Sequence, residues 1–199
     1  MKMQGADRFG KADKVVSVPE DWSPGADGNL SEFDEAVDQV LHLAAQLARD
    51  LVGAHQAAAA MIVGGDWRGM RKYFSLSSKY SDWFGYRTPA VGYGIHNLPI
   101  ATNKPMRLTQ AELEAHPEWK GFGKQADTHP PMRGWLAVPV IGLDGRNYGM
   151  LQLSDKYDDA EFNEMDEQLL ARLAALTAYA LDAICALFNH HSLGHRDRD

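Results

Sequence analysis

Two rhythms of apolar residues run along this chain. Between Ser31 and Val52 they fall at Phe33, Val37, Val40, Ala44, Leu47 and Leu51, a 4-3-4-3-4 spacing that draws one seam along a helix. Leu41, Ala45, Ala48 and Val52 add a second face. Ser31 is the expected N-cap, Glu32, Asp34 and Glu35 suit the positive end of the helix dipole, and Gly53 is the expected stop. A second helix is expected over Glu164–Phe188, capped by Asn163. One of its stripes is Leu169, Leu173, Leu176, Ala180, Ile184 and Leu187; Leu170, Thr177, Leu181 and Phe188 form another. Each helix can therefore pack on its own sheet and still offer an apolar face to a partner.

Shorter runs carry the strand rhythm. Gln56–Val63 and Arg71–Leu76 read as strands, as does a short piece at Pro105–Leu108. Thr109 then caps a short helix over Gln110–Ala115, with Glu112 placed for a capping box. Trp135–Ile141 and Tyr148–Leu153 flank Asp144-Gly145, which predicts a hairpin with a tight type I′ turn. Both of these strands are nearly continuously apolar, so both faces of the hairpin are expected to be covered. The sum is an α/β (α+β) fold with a central antiparallel sheet of five or six strands. One face of the hairpin should meet helices, and the other could meet a second layer or enclose a small molecule; the long segment 77–132 holds elements of its own. Residues 1–29 read as a flexible extension, 30–191 as the domain and 192–199 as a polar tail.

Composition narrows the partners. The chain has 199 residues and a formal net charge of −7, which disfavours a general nucleic-acid binder. It has no run of 18 apolar residues and no apolar leader, so no membrane segment is expected. Its one cysteine, Cys185, suits a reducing cytoplasm.

The stretch Leu136-Ala137-Val138-Pro139-Val140, Asp144-Gly145, Gly149-Met150-Leu151-Gln152-Leu153, followed by Phe162-Asn163-Glu164-Met165-Asp166-Glu167, resembles the GAF domain family. The resemblance spans about residues 30–190 and implies a GAF/PAS-like sensory and dimerisation module, with the first and last helices on one face of the sheet and segment 77–132 as a lid over the other. Pro105–Leu113 and Leu153–Tyr157 look like the input GAF domains of bacterial sensor histidine kinases, implying an output kinase as partner. Asp155-Lys156 with Phe162 and Asp166-Glu167 is similar to the NKFDE motif of phosphodiesterase GAF domains, with Asp155 in place of the motif's Asn. That similarity implies a structural Lys156–Asp166 bridge rather than cyclic-nucleotide binding.

Candidate ligand-binding residues cluster in and around the lid. Tyr73, Trp83, Tyr93, Trp119, Phe122 and Trp135 can supply flat surfaces, His96 a polar contact and Arg133 an anion contact. Tyr73 and Phe74 must point to opposite faces, so only one of them can line a chamber. The identity of a ligand or cofactor is not legible. His96, His116 or His129 could hold haem as in some GAF domains, and a haem or redox sensor is one rival reading. His190, His191 and His195 read as a solvated helix end rather than a metal tract. No G-x-S-x-G elbow, phosphate loop or H-E-x-x-H is present, so a non-catalytic domain is expected. With one cysteine, the sulfoxide-reductase chemistry of one GAF subfamily is not expected, nor is covalent bilin attachment. The resemblance thus implies a small-molecule sensor that relays through a homodimer of helices 31–52 and 164–188. A ligand-free dimerisation module is the other rival.

Overall fold

The computed structural model describes residues 29–62, 70–84, 86, 94–122 and 129–194. Helix α1 covers Asn29–Val52 and starts two residues before the expected cap Ser31. It ends at Gly53, whose φ of 75° lets its N–H close onto the Arg49 carbonyl at 3.0 Å. Strands β1 (Ala54–Met61) and β2 (Arg71–Leu76) follow, then a 3-10 turn at Ser78–Trp83. A second 3-10 turn at Gly94–His96 leads into α2 (Asn97–Thr102). Strand β3 (Met106–Leu108) and α3 (Gln110–Ala115) come next. The hairpin β4 (Trp135–Ile141) and β5 (Asn147–Lys156) precedes α4 (Glu164–Gly194). The expected extension 1–29 lies almost wholly outside the described residues, as does the turn between β1 and β2. Helix α4 runs six residues past Phe188 and so takes in the start of the expected polar tail.

The strands form one antiparallel sheet in the order β2-β1-β5-β4-β3, which puts β5 at the centre. Strand β4 pairs with β3 only over Trp135–Ala137. Pro139 therefore sits where β4 has become an edge and its missing N–H deprives no neighbour. The hairpin connection is not the expected type I′ turn. Among its residues only Gly145 has positive φ, at 82°, and Gly145 N–H donates to the Gly142 carbonyl at 3.0 Å. The connection is a longer loop around an ordinary turn with glycine in the left-handed position, and a register shift follows at Val140/Ile141.

Two apolar layers follow from the strand period. Leu136, Val138, Val140, Leu151, Leu153, Ala57 and Ala59 bury against Val37, Leu41, Ala44, Ala45 and Ala48 of α1 and Leu170, Leu173, Ala174, Ala178 and Leu181 of α4. On the opposite face Trp135, Ala137, Met150 and Ala60 bury against Ile95 and Leu113 of the lid. By length and composition alone α4 would be apolar enough to cross a bilayer, as core helices of folded domains also are. Its buried stripe is instead spent on the sheet.

Candidate functional site beneath the lid

The small side chains of β1 shape the floor. Ala58 stands between Phe74 of β2 and Gln152 of β5, and Ala60 between Lys72 and Met150. Both alanines are buried, yet they project little into the layer above. Side-chain alternation puts Lys72 and Phe74 on this face and sends Tyr73 to the other, where it packs on His42 of α1 at 4.0 Å between ring centroids. Tyr73 is thus placed away from the lid, and Phe74 takes the position.

Aromatic rings form the wall. Phe74 meets Tyr86 at 5.5 Å, and Tyr86 meets His129 at 4.9 Å. Phe122 stacks on His129 at 3.3 Å, and Trp119 stands edge-on to Phe122 at 5.2 Å. Trp135 is fully buried; its ring receives His96 at 5.4 Å and its indole N–H donates to Gln152 Oε1 at 3.4 Å. Of the residues singled out from sequence, His96, Trp119, Phe122 and Trp135 are therefore brought together. Trp83 stands apart against Tyr80 at 5.7 Å. Arg133 is not free for an anion, because its guanidinium is bound to the Asp159 carboxylate and donates to the Asp159 carbonyl at 2.9 Å. Tyr93 lies outside the described residues.

Some polar groups on this face have no hydrogen-bond partner among the described residues. The Lys72 ammonium lies 4.7 Å from the centre of the Phe74 ring and has no carboxylate partner among the described residues. Burial pushes its pKa down to about 8. Among the described residues neither His96 nitrogen makes a hydrogen bond, nor does the Gln152 amide nitrogen. Burial, with the Lys72 charge and His129 nearby, lowers the His96 pKa to about 3. Burial lowers His129 to about 4, against the opposing pull of its bond to the Pro130 carbonyl. That carbonyl is 2.6 Å from His129 Nδ1, so Nδ1 carries the proton and Nε2 keeps the free lone pair. Among the described residues two neutral imidazoles of the lid thus lie over the sheet face that carries the Gln152 amide and the Lys72 ammonium. Sequence reading missed Lys72, Gln152 and the alanine floor. Their signals were a lysine on the apolar face of a strand and the run Ala57–Ala60. His116, the third haem candidate, accepts the N–H of Glu118 at 3.1 Å, a local structural role.

A hinge ties the lid to the rest. Asp155 has φ of 57°, which breaks the alternation at the end of β5. Its buried Oδ2 accepts from Tyr80 Oη at 2.7 Å and Lys79 Nζ at 2.5 Å. Gln56 Nε2 donates to the Pro131 carbonyl at 2.6 Å, and the Asp155 N–H to the Arg133 carbonyl at 2.7 Å. The next residue, Lys156, reaches the opposite way and binds Asp166 of α4 at 2.5 Å. This is the bridge implied by the motif. Asp166 also accepts the N–H of Asn163 at 2.8 Å, while Asn163 Oδ1 caps α4.

A family model for the GAF domain matches residues 34–182, three quarters of the chain. The chain belongs to the GAF domain family. Solved structures agree on the fold of this GAF domain. A methyl-accepting chemotaxis protein, residues 122 to 287, is similar over 80% of this chain and 98% of that one, with a TM-score of 0.61 and 15% identity. The GAF domain of a phosphoenolpyruvate-protein phosphotransferase from Coxiella burnetii is similar over 79% and 95%, with a TM-score of 0.56 and 20% identity. A type II free methionine-R-sulfoxide reductase from Thermoplasma acidophilum is similar over 76% and 96%, with a TM-score of 0.53 and 17% identity. In the present GAF domain Cys185 lies on α4, on the helix side of the sheet, with its sulfur 3.9 Å from Tyr148 Oη.

Proposed function

We propose that this GAF domain is a non-catalytic sensory input module of the cytoplasm. It holds a small molecule between sheet and lid and relays its presence through the helices of a homodimer, with a kinase as one fitting output partner. The observation that carries this reading is the joint at the end of β5. Consecutive residues, Asp155 and Lys156, grip the lid hinge and α4 respectively. A rearrangement of the lid that moves Pro131 or Tyr80 therefore bears directly on the start of α4. A ligand shifts such an equilibrium by its differential affinity for the two arrangements.

The helices supply the other end of the relay. Leu43, Leu47 and Leu51 are exposed at four-residue intervals on α1, and Leu176, Tyr179 and Leu187 are exposed on α4. A parallel bundle with a second copy would bury them. Similarity to part of a chemotaxis protein supports a signalling role. Native mass spectrometry of the freshly purified chain, alongside the denatured chain, tests both halves. The expected result is a dimer with excess mass that is lost on denaturation. A folded monomer without excess mass refutes the relay, and a dimer without excess mass favours a structural dimerisation module. A visible Soret band would favour the haem sensor instead.

A further inference from the structure

We propose that the outer edge of β2 is the docking site of a sixth strand, and that its occupant is this chain's own segment Lys14–Val18. Strand β2 ends the sheet and pairs only with β1 among the described residues. Ser77 N–H donates to the His55 carbonyl at 2.9 Å, and in an antiparallel ladder every second pair exchanges such bonds. In the register of β2 on β1, the backbone groups of Arg71, Tyr73 and Ser75 therefore turn to β1, and those of Lys72, Phe74 and Leu76 turn outward. The Leu76 carbonyl shows that direction, since it accepts from Arg49 Nη1 of α1 at 2.8 Å. The other outward groups have no strand to pair with among the described residues. An open cleft of about 250 Å³ lies beside this edge, lined by Gln46, Arg49, Phe74, Ser75, Leu76 and Phe84. Phe84 is 61% exposed. An unpaired edge beside an exposed ring is a surface that folded proteins cover.

The occupant follows from where the chain enters the domain. Residues 1–28, which lie outside the described residues, lead into α1 at Asn29. The first turns of α1 lie beside the start of β2, because the Arg71 guanidinium is bound to Asp34 and meets Asp38 at 3.0 Å. Asn29 is about 8 Å further along the helix axis. Within 1–28 the β-branched residues are Val15, Val16 and Val18, all in the run Lys14-Val15-Val16-Ser17-Val18. Pro19 follows, which favours an extended Val18 and ends the pairing. Residues 19–28 span up to about 33 Å, enough for an antiparallel strand that leaves β2 at its Arg71 end. Val16 opposite Phe74 lets Val18, Val16 and Lys14 meet the outward groups of Lys72, Phe74 and Leu76. That register sets Val16 beside Phe74 on the lid side of the cleft and Val15 beside Ser75 on the helix side.

The test is amide hydrogen exchange of the full chain, read residue by residue by NMR. Val16→Pro removes the donor at the centre of the segment, and Ala26→Pro is the control. In wild type, residues 14–18 and the Lys72 and Phe74 amides are expected to exchange about tenfold more slowly than in an unpaired chain. Val16→Pro should abolish that slowing at both places and Ala26→Pro at neither, with far-UV circular dichroism showing the domain folded in each. A Val15→Cys, Ser75→Cys pair on a Cys185→Ser chain should close a disulfide within one chain on mild oxidation, as the two face each other in a non-hydrogen-bonded pair. Absence of that disulfide overturns the register. Exchange of residues 14–18 at the unpaired rate overturns the inference. So does slow exchange at Lys72 and Phe74 that survives Val16→Pro; where it is lost on dilution, the occupant is instead a second copy pairing edge to edge.

Discussion

Gly149 stands in the Gly-x-Leu-x-Leu run of the central strand, and replacing it with alanine tests why the position is glycine. Its φ is 144°, a conformation that residues with side chains rarely adopt. A Cβ placed there lies 2.0 Å from the Ala60 carbonyl oxygen, 2.9 Å from the Ala60 carbonyl carbon and 3.0 Å from Met61 Cα. All three are backbone atoms of β1, so no rotamer change relieves the contact. The two strands must instead separate by about 1 Å to restore van der Waals distance. That strains the pairing of Met61 with Gly149 and of Ala60 with Met150, and the bond from Ile62 N–H to the Tyr148 carbonyl. Backbone strain contributes about 1–3 kcal/mol and overpacking a similar amount, so Gly149→Ala is expected to cost about 4 kcal/mol. Native domains hold only about 5–15 kcal/mol in total. For a chain of this length the melting temperature should fall by about 8–16 °C, read by far-UV circular dichroism. Gly145→Ala is the control: its φ is 82°, but nothing lies within 4 Å of the added Cβ. It should cost only the backbone preference, about 1–2 kcal/mol. The reasoning fails if Gly149→Ala melts no lower than Gly145→Ala.

Other consequences are open to measurement. Asp166→Ala removes both the Lys156 bridge and the acceptor for the Asn163 N–H, so urea unfolding should show a loss of about 2–4 kcal/mol; a loss below about 0.5 kcal/mol would discount the joint. His96 and His129 both titrate below the ordinary histidine value, so the unfolded chain takes up their protons first. Their contribution is fully present above about pH 6.5 and is lost as pH falls towards 3–4. His96→Gln should therefore flatten the decline in melting temperature between those limits, with Lys72 and His129 the only charged or titratable groups invoked beside it; superimposable curves would refute its burial as a neutral ring. Leu47→Glu with Leu176→Glu should split the proposed dimer in light scattering without lowering the melting temperature of the monomer, and an unchanged dimer would place the interface elsewhere.

How much of this was legible depended on distance along the chain. The capping box is local, and Thr109 Oγ1 does accept the Glu112 N–H at 3.2 Å while the Glu112 carboxylate accepts from Thr109 at 2.8 Å. The hairpin strands and the Asn163 cap were legible for the same reason: their partners lie within a few residues. The turn type was misread because Asp-Gly admits more than one loop length, and the loop chosen leaves Asp144 with ordinary φ. The face of β2 was undecidable, since Tyr73 and Phe74 are equally suited to burial and only the register with β1 assigns them. Asp155 was readable as a motif position but not as the partner of Tyr80 and Lys79, about 75 residues earlier in the chain. Arg133 was a free cation in the sequence and an engaged one in the fold, because the loop after β5 brings Asp159 back to it.

The same joint explains why a motif so close to a helix cap bears on the opposite side of the sheet. In a regular strand Asp155 and Lys156 would already point to opposite faces, but Asp155 would take the helix side, following Leu151 and Leu153. Its left-handed backbone reverses the order: the buried carboxylate turns to Tyr80 and Lys79, and Lys156 turns to Asp166. An aspartate tolerates that conformation better than most residues do, as the motif's asparagine would. The carboxylate adds what asparagine lacks, a charge that accepts from the Lys79 ammonium. Tyr80 has one hydroxyl proton and two acceptors near it, Asp155 at 2.7 Å and the Pro131 carbonyl at 3.3 Å. The shorter, charge-assisted bond holds the proton, and Gln56 serves Pro131 in its place. The lid hinge is thus clamped by side chains of β1, β5 and the 3-10 turn after β2. For the proposed relay this means that a ligand pressing on His129, next to Pro130 and Pro131, acts on a clamp whose other end is the first turn of α4.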